Sequence, residues 1–119
     1  MIAPVISVAL GGAFGAVARY LVGLAVAFPL GSLAVNVFGS LVIGIVWAYF
    51  TQRELHGWFP LILTGFLGGF TTFSAFSLDT MRLIETGRFS AAFIYVVASV
   101  LLSLGACALG LWLTKGLSL

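Results

Sequence analysis

Phe28-Pro29-Leu30-Gly31 lies inside residues 20–52, a stretch of 33 positions without a charged side chain. The reading of this stretch decides the fold. A helix that crosses the roughly 30 Å hydrocarbon core of a bilayer needs about 20 apolar residues. Residues 20–52 are too many for one crossing and suit two, and proline beside glycine marks the turn between them. Charge-free runs recur on both sides, at residues 1–18, at 55–78 (24 positions) and at 89–114 (26 positions). The expected spans are therefore about 3–27, 32–50, 58–80 and 90–114, with Ser32 as N-cap of the second. Polar loops fall at 51–57 and 81–89. The chain reads as an all-α integral membrane protein whose single transmembrane domain covers residues 1–119.

Composition excludes the other classes. Hydrophobic residues make up 62% of the 119 positions and charged residues 7%, where a soluble domain carries about 25% charge. A soluble enzyme of this size cannot stay dispersed on so little charge, and disorder needs the opposite balance. The net charge is only +2, so no basic surface for nucleic acid is expected. The one cysteine, Cys107, reads as a small apolar residue. The one histidine, His56, reads as a loop residue and makes no metal site alone. Ala25-Val26-Ala27 imitates a signal-peptide cleavage site. However, the apolar segment before it is longer than the usual 7–15 residues and contains Arg19, so residues 1–27 are expected to stay as a span. No separate soluble domain or low-complexity tract is expected.

Four spans put Arg53 and Lys115 on one side, with Arg82 and Arg88 on the other, where Arg19 also counts if it lies near that end. Lys and Arg are so evenly shared that the positive-inside rule gives no orientation. A chain of this kind is able to insert both ways up, which permits an antiparallel dimer. Gly11 and Gly15 form a GxxxG pair, and Ala106 and Gly110 a small-xxx-small pair. Such pairs let helices approach closely and are taken here as pointing to an oligomer.

Polar groups are costly in lipid and so informative. Asp79 is placed at the end of a span, and Glu54 and Glu85 in loops, so no acid is expected well inside the membrane. That disfavours a proton-coupled multidrug antiporter. Ser32, Asn36 and Ser40 repeat at i, i+4, i+8 on the second helix, and Tyr95, Ser99 and Ser103 do so on the fourth. An uncharged hydroxyl and amide stripe is able to bind a stripped anion weakly enough to release it. Arg19 has two readings: snorkelling to the interface, or lending positive potential to an anion entrance. In the third span, Gly65-Phe66-Leu67-Gly68-Gly69-Phe70-Thr71-Thr72-Phe73-Ser74-Ala75-Phe76-Ser77 contains a poor helix interior at Gly68-Gly69. A break there would free carbonyl oxygens, which are good ligands for a hard cation. It would also set Phe73 and Phe76 at i, i+3, with electropositive ring edges available to an anion.

The stretch Gly68-Gly69-Phe70-Thr71-Thr72-Phe73-Ser74-Ala75-Phe76-Ser77 closely resembles the signature of the small bacterial fluoride channels, the Fluc or CrcB family. Gly31-Ser32-Leu33-Ala34-Val35-Asn36-Val37-Phe38-Gly39 resembles the family's second-helix motif, and Gly11-Gly12 with Arg19-Tyr20 its first helix. The resemblance covers nearly the whole chain. It implies a dual-topology antiparallel homodimer in the bacterial inner membrane, with two fluoride pores and passive export of fluoride driven by the membrane potential. It implies a structural Na⁺ at the dimer centre, held by main-chain carbonyls that map to Gly68 and Thr71. The pore pair maps to Phe73 and Phe76, the vestibule asparagine to Asn36, and the polar track to Tyr95, Ser99 and Ser103. Ser32 keeps the hydroxyl of a common family threonine, and Arg19 matches the family arginine in a vestibule or structural role. Ala75 replaces a common threonine, so one hydroxyl is missing near the break. No enzyme activity is implied. The alternatives are the small proton-coupled antiporter and a non-transporting membrane subunit.

Overall fold

The computed structural model describes residues 2–118, with side chains described to Gly116. Helix α1 is Ile2–Ala25 and α2 is Leu30–Gln52. The third span, His56–Glu85, is composite. A 3-10 turn at His56–Trp58 leads into a π-helix at Pro60–Leu67 and a short α3 at Gly68–Phe70. After Thr71 and Thr72, α4 is Phe73–Glu85, and α5, Phe89–Ser118, closes the chain. These four segments are long and apolar enough to cross a bilayer. The molecule measures 49 × 35 × 23 Å, and its long dimension exceeds the roughly 30 Å hydrocarbon core.

The outside carries the apolar residues. Leu10, Phe14, Leu21, Leu24, Phe93, Leu101 and Trp112 are among many large hydrophobic side chains left exposed. In water such a surface would aggregate; facing lipid it costs nothing. The chain is a multi-pass membrane protein. Its interior is correspondingly small, with Leu83, Ala92 and Tyr95 forming a cluster against Leu33, Phe76 and Ile84.

Two helix pairs make the framework: α1 along the π-helix and α3, and α2 along α5. Glycine decides both. A Cβ on Gly11 would collide with the Leu61 carbonyl and lie 2.8 Å from the Phe66 nitrogen; one on Gly15 would collide with the Phe66 carbonyl. In the other pair, a Cβ on Gly44 would strike the Cys107 carbonyl and one on Gly110 the Leu41 carbonyl. By their spacing alone the Gly11/Gly15 and Ala106/Gly110 pairs point to an oligomer. The structure corrects this. Gly11, Gly15 and Gly110 are used up inside one chain, because a single subunit must pair its own helices before it offers a face to a partner.

Element ends move in two informative places. Ser32 is not the N-cap of α2: the helix starts at Leu30, after Pro29 in the cap position, with no side-chain cap bond. Proline is tolerated at this end because it has no N–H for the helix to satisfy. That takes the helix two residues upstream and leaves Ser32 in the first turn. The third span also runs past residue 80, to Glu85. Arg82 does not end it: its guanidinium sits over the Phe28 ring, 4.1 Å from the centroid, at an exposed edge of the helix. The stop is Gly87, with φ at 77°, a conformation that favours glycine at a helix C-terminus.

Candidate functional site: two clefts at the Thr71–Thr72 turn

The backbone leaves helical geometry at Thr71 (φ −90°, ψ 158°) and Thr72 (φ −155°, ψ 123°). Gly68 itself stays helical, at φ −63° and ψ −36°. The departure therefore comes after the glycine pair, at two residues whose branched side chains favour extended backbone.

Side chains replace the helical bonds lost here. The Thr72 N–H, which would bond the Gly68 carbonyl in an α-helix, donates to Asn36 Oδ1 at 2.8 Å. Asn36 Nδ2 donates to the Thr72 carbonyl at 2.9 Å, so one amide clamps both polar groups of the residue. Ala75 N–H donates to Thr72 Oγ1 at 3.1 Å, in place of the Thr71 carbonyl. This is the N-cap of α4. Arg19 Nε donates to the Gly69 carbonyl at 3.1 Å. Arg19 thus reaches across 50 residues to the backbone of the third span, a contact of the structural kind rather than a free charge at an entrance. Because the α4 cap uses the backbone N–H of residue 75, it is intact with alanine there.

Two clefts of about 380 Å³ each meet at Thr72, which lines both. The first brings together Asn36, Ser40, Phe73, Phe76, Ser99 and Ser103, with Gly39 and Thr71 also lining it. The Phe73 and Phe76 rings lie 5.4 Å apart, and Phe73 is 77% exposed on the single chain. Ser99 Oγ is buried and has no hydrogen-bond partner, a condition that normally costs about 1–3 kcal/mol. Gly39 is needed here, because a Cβ on it would collide with the Thr71 methyl.

The second cleft holds Arg19, Ser32, Asp79 and Arg82. Ser32 is therefore separated from Asn36 and Ser40, although all three share one stripe of α2. Tyr95 lies between the clefts. Its ring packs 5.5 Å from Phe76, and its hydroxyl donates to Asp79 Oδ2 at 3.3 Å. A tyrosine hydroxyl has one proton, so that proton is committed to Asp79, and Tyr95 itself lines neither cleft.

Asp79 overturns an expectation. It is not at the end of a span but inside α4, 9% exposed, and 4.0 Å from Arg82. Placing the helix end at residue 80 hid it. Thr72 is a functional residue the motifs did not single out; threonine is among the favoured N-cap residues, and that preference was the signal available in the sequence.

Comparison with known proteins shows the family. The family described as "CrcB-like protein, Camphor Resistance (CrcB)" matches residues 6–111. A protein of Paracoccus denitrificans named "Fluoride-specific ion channel FluC" is 50% identical over 117 residues, covering 94% of each chain. Relatives of the same name from Magnetococcus marinus and Rhizobium etli are 49% and 50% identical, over 87% and 93% of this chain and 91% and 95% of theirs. These relatives are named as channels, not enzymes. With a family model matching residues 6–111 and relatives about half identical along most of its length, this chain belongs to the CrcB-like family.

Proposed function

We propose that the protein is a fluoride-selective channel that lets the membrane potential expel cytoplasmic fluoride passively. The observation that carries this reading is the first cleft. There an amide, three serine hydroxyls and two phenylalanine rings converge, and no carboxylate lines it. Fluoride is strongly hydrated, so a selective path must replace water with close donors. Ser99 Oγ, buried and unpartnered, is a donor of that kind, and the ring edges of Phe73 and Phe76 supply positive potential. Fluoride enters cells as neutral hydrogen fluoride and is trapped once ionised. A passive pore that removes it needs no transmembrane acid. The one buried acid, Asp79, lines the other cleft beside Arg19 and Arg82, which sets it apart from the proposed path and speaks against an antiporter.

In this reading the chain works as an antiparallel, dual-topology homodimer in the bacterial inner membrane. The even split of Lys and Arg supports it, as does Phe73, which a single chain leaves exposed. Na⁺ at the dimer centre would be held by the carbonyls of Gly68 and Thr71. Their fit is supported by bonding: the helical donors for both, Thr72 N–H and Ala75 N–H, are diverted to Asn36 and to Thr72 Oγ1. Such carbonyls are hard oxygen ligands, and the bound ion would supply structural cross-linking without being transported. Purification with Na⁺ replaced by a larger cation is expected to lower dimer stability and flux, read by size-exclusion chromatography and liposome assay. Indifference to the exchange would remove the ion from the reading.

The deciding experiment is fluoride efflux from liposomes containing only this protein, with valinomycin and a K⁺ gradient supplying the potential and chloride as control anion. Fast fluoride loss with chloride retained is expected. No flux from folded protein would overturn the reading. In the same assay Phe73→Ile and Phe76→Ile should each lower flux about tenfold or more, the equivalent of losing a contact of ~1.4 kcal/mol, while assembly persists. Full flux in both variants would take the rings out of the path.

A further inference from the structure

Residues Pro60–Leu67 form a π-helix, not an α-helix. A π turn holds one residue more than the α turn it replaces, and such turns recur at functional sites. This one is pinned at both ends. Before it, Phe59 stacks on Trp47 at 5.4 Å and on Phe50 at 6.2 Å. After it, Arg19 holds the Gly69 carbonyl and Asn36 clamps Thr72. In between, Gly11 of α1 lies against the Leu61 carbonyl and the Phe66 nitrogen. Those two groups are five residues apart, the spacing of a π-helical bond. Gly65 faces back, its Cβ position 3.0 Å from the Val8 carbonyl and 3.1 Å from Gly11 Cα. The widened turn is thus seated on α1 through glycine on both sides.

With the same residues in α-helical geometry, everything beyond Leu67 would turn by about 100° and advance by about 1.5 Å. Gly69 would leave Arg19, Thr72 would leave Asn36, and Phe73 and Phe76 would leave the first cleft. We propose that the π-helix is a phase spacer: its one surplus residue sets the rotation at which the Gly69 carbonyl, Thr72 and the two phenylalanines meet their partners. Only the flux arm of its test rests on the conduction reading above.

The spacer makes an unusual demand: removing one residue from the turn should restore an α-helix and leave both pinned ends in place. Thr64 is exposed, so its deletion removes no packed side chain. The comparison is deletion of Ile45, also exposed, from α2, which has no surplus residue. A second comparison inserts one alanine after Thr64. Deletion of Thr64 is expected to keep a monodisperse peak and a Tm within about 5 °C of wild type. Its fluoride flux should stay within about threefold, because the downstream phase is unchanged. Deletion of Ile45 and the insertion should each lose the folded peak, or at least about a hundredfold in flux, since each rotates one helix face by about 100°. The proposal is overturned if deleting Thr64 is as damaging as deleting Ile45. It is also overturned if that variant folds without conducting while wild type conducts. If wild type itself passes no fluoride, the conduction reading fails, and the Tm of the Thr64 deletion still decides the spacer.

Discussion

Gly15→Ala is expected to cost the protein most of its folded yield. The added Cβ would collide with the Phe66 carbonyl and stand 2.9 Å from the Phe70 nitrogen and 3.0 Å from the Phe66 carbonyl carbon. All three are backbone atoms of the facing segment, so no side chain can rotate away. The helices must separate instead. Overpacking a tight interior typically costs about 1–3 kcal/mol, and separation here would add to that. Arg19, one turn beyond Gly15, would be drawn off the Gly69 carbonyl that its Nε holds. A Cβ on Gly23 in the same helix meets nothing within 4 Å. Gly23→Ala should therefore gain stability, by about 1 kcal/mol at most, from helix propensity alone. Thermal unfolding of the two detergent-solubilised variants checks the contrast. Equal Tm values would mean that the close approach of α1 to the third span is not what holds the subunit together.

Asn36→Asp is expected to abolish fluoride flux, by at least about a hundredfold, the equivalent of roughly 2.7 kcal/mol. Two effects act together. The carboxylate would keep the acceptor for the Thr72 N–H but set an oxygen against the Thr72 carbonyl, where Asn36 Nδ2 now donates at 2.9 Å. It would also place a negative charge in the cleft where the anion is proposed to pass. Asn36→Ala removes the clamp without adding charge. If charge dominates, the aspartate variant should be the more severe of the two, with both still assembling. Normal conduction by Asn36→Asp would show that this face of α2 is not on the path.

The division between what was legible and what was not follows the range of the forces involved. Span number came from charge-free runs, because in lipid each charge is expensive wherever it falls. The Thr71–Thr72 turn was nearly visible: two adjacent glycines weaken a helix locally, and the signature led to the right dozen residues. Its exact place was not visible, because the residue that fixes it is Asn36, 36 positions away. Asp79 was misread for a different reason. The helix runs on through the exposed Arg82 to Glu85, with its stop at the left-handed Gly87, and a charged residue alone does not mark where a span ends.

By itself the sequence determined a four-span helical membrane protein, its family, and the residue types available to an anion, because hydropathy and signature motifs are properties of single segments. Only the tertiary structure decided which residues meet. It divided the α2 stripe between two clefts, committed the Tyr95 proton to Asp79, and sent Arg19 to the Gly69 carbonyl. It spent Gly11, Gly15 and Gly110 on packing within the chain. Those outcomes depend on the rotation and depth of each helix against its neighbours. A helix rotates by about 100° per residue, so one surplus residue in the third span is enough to change which partners Arg19, Asn36 and Tyr95 meet there.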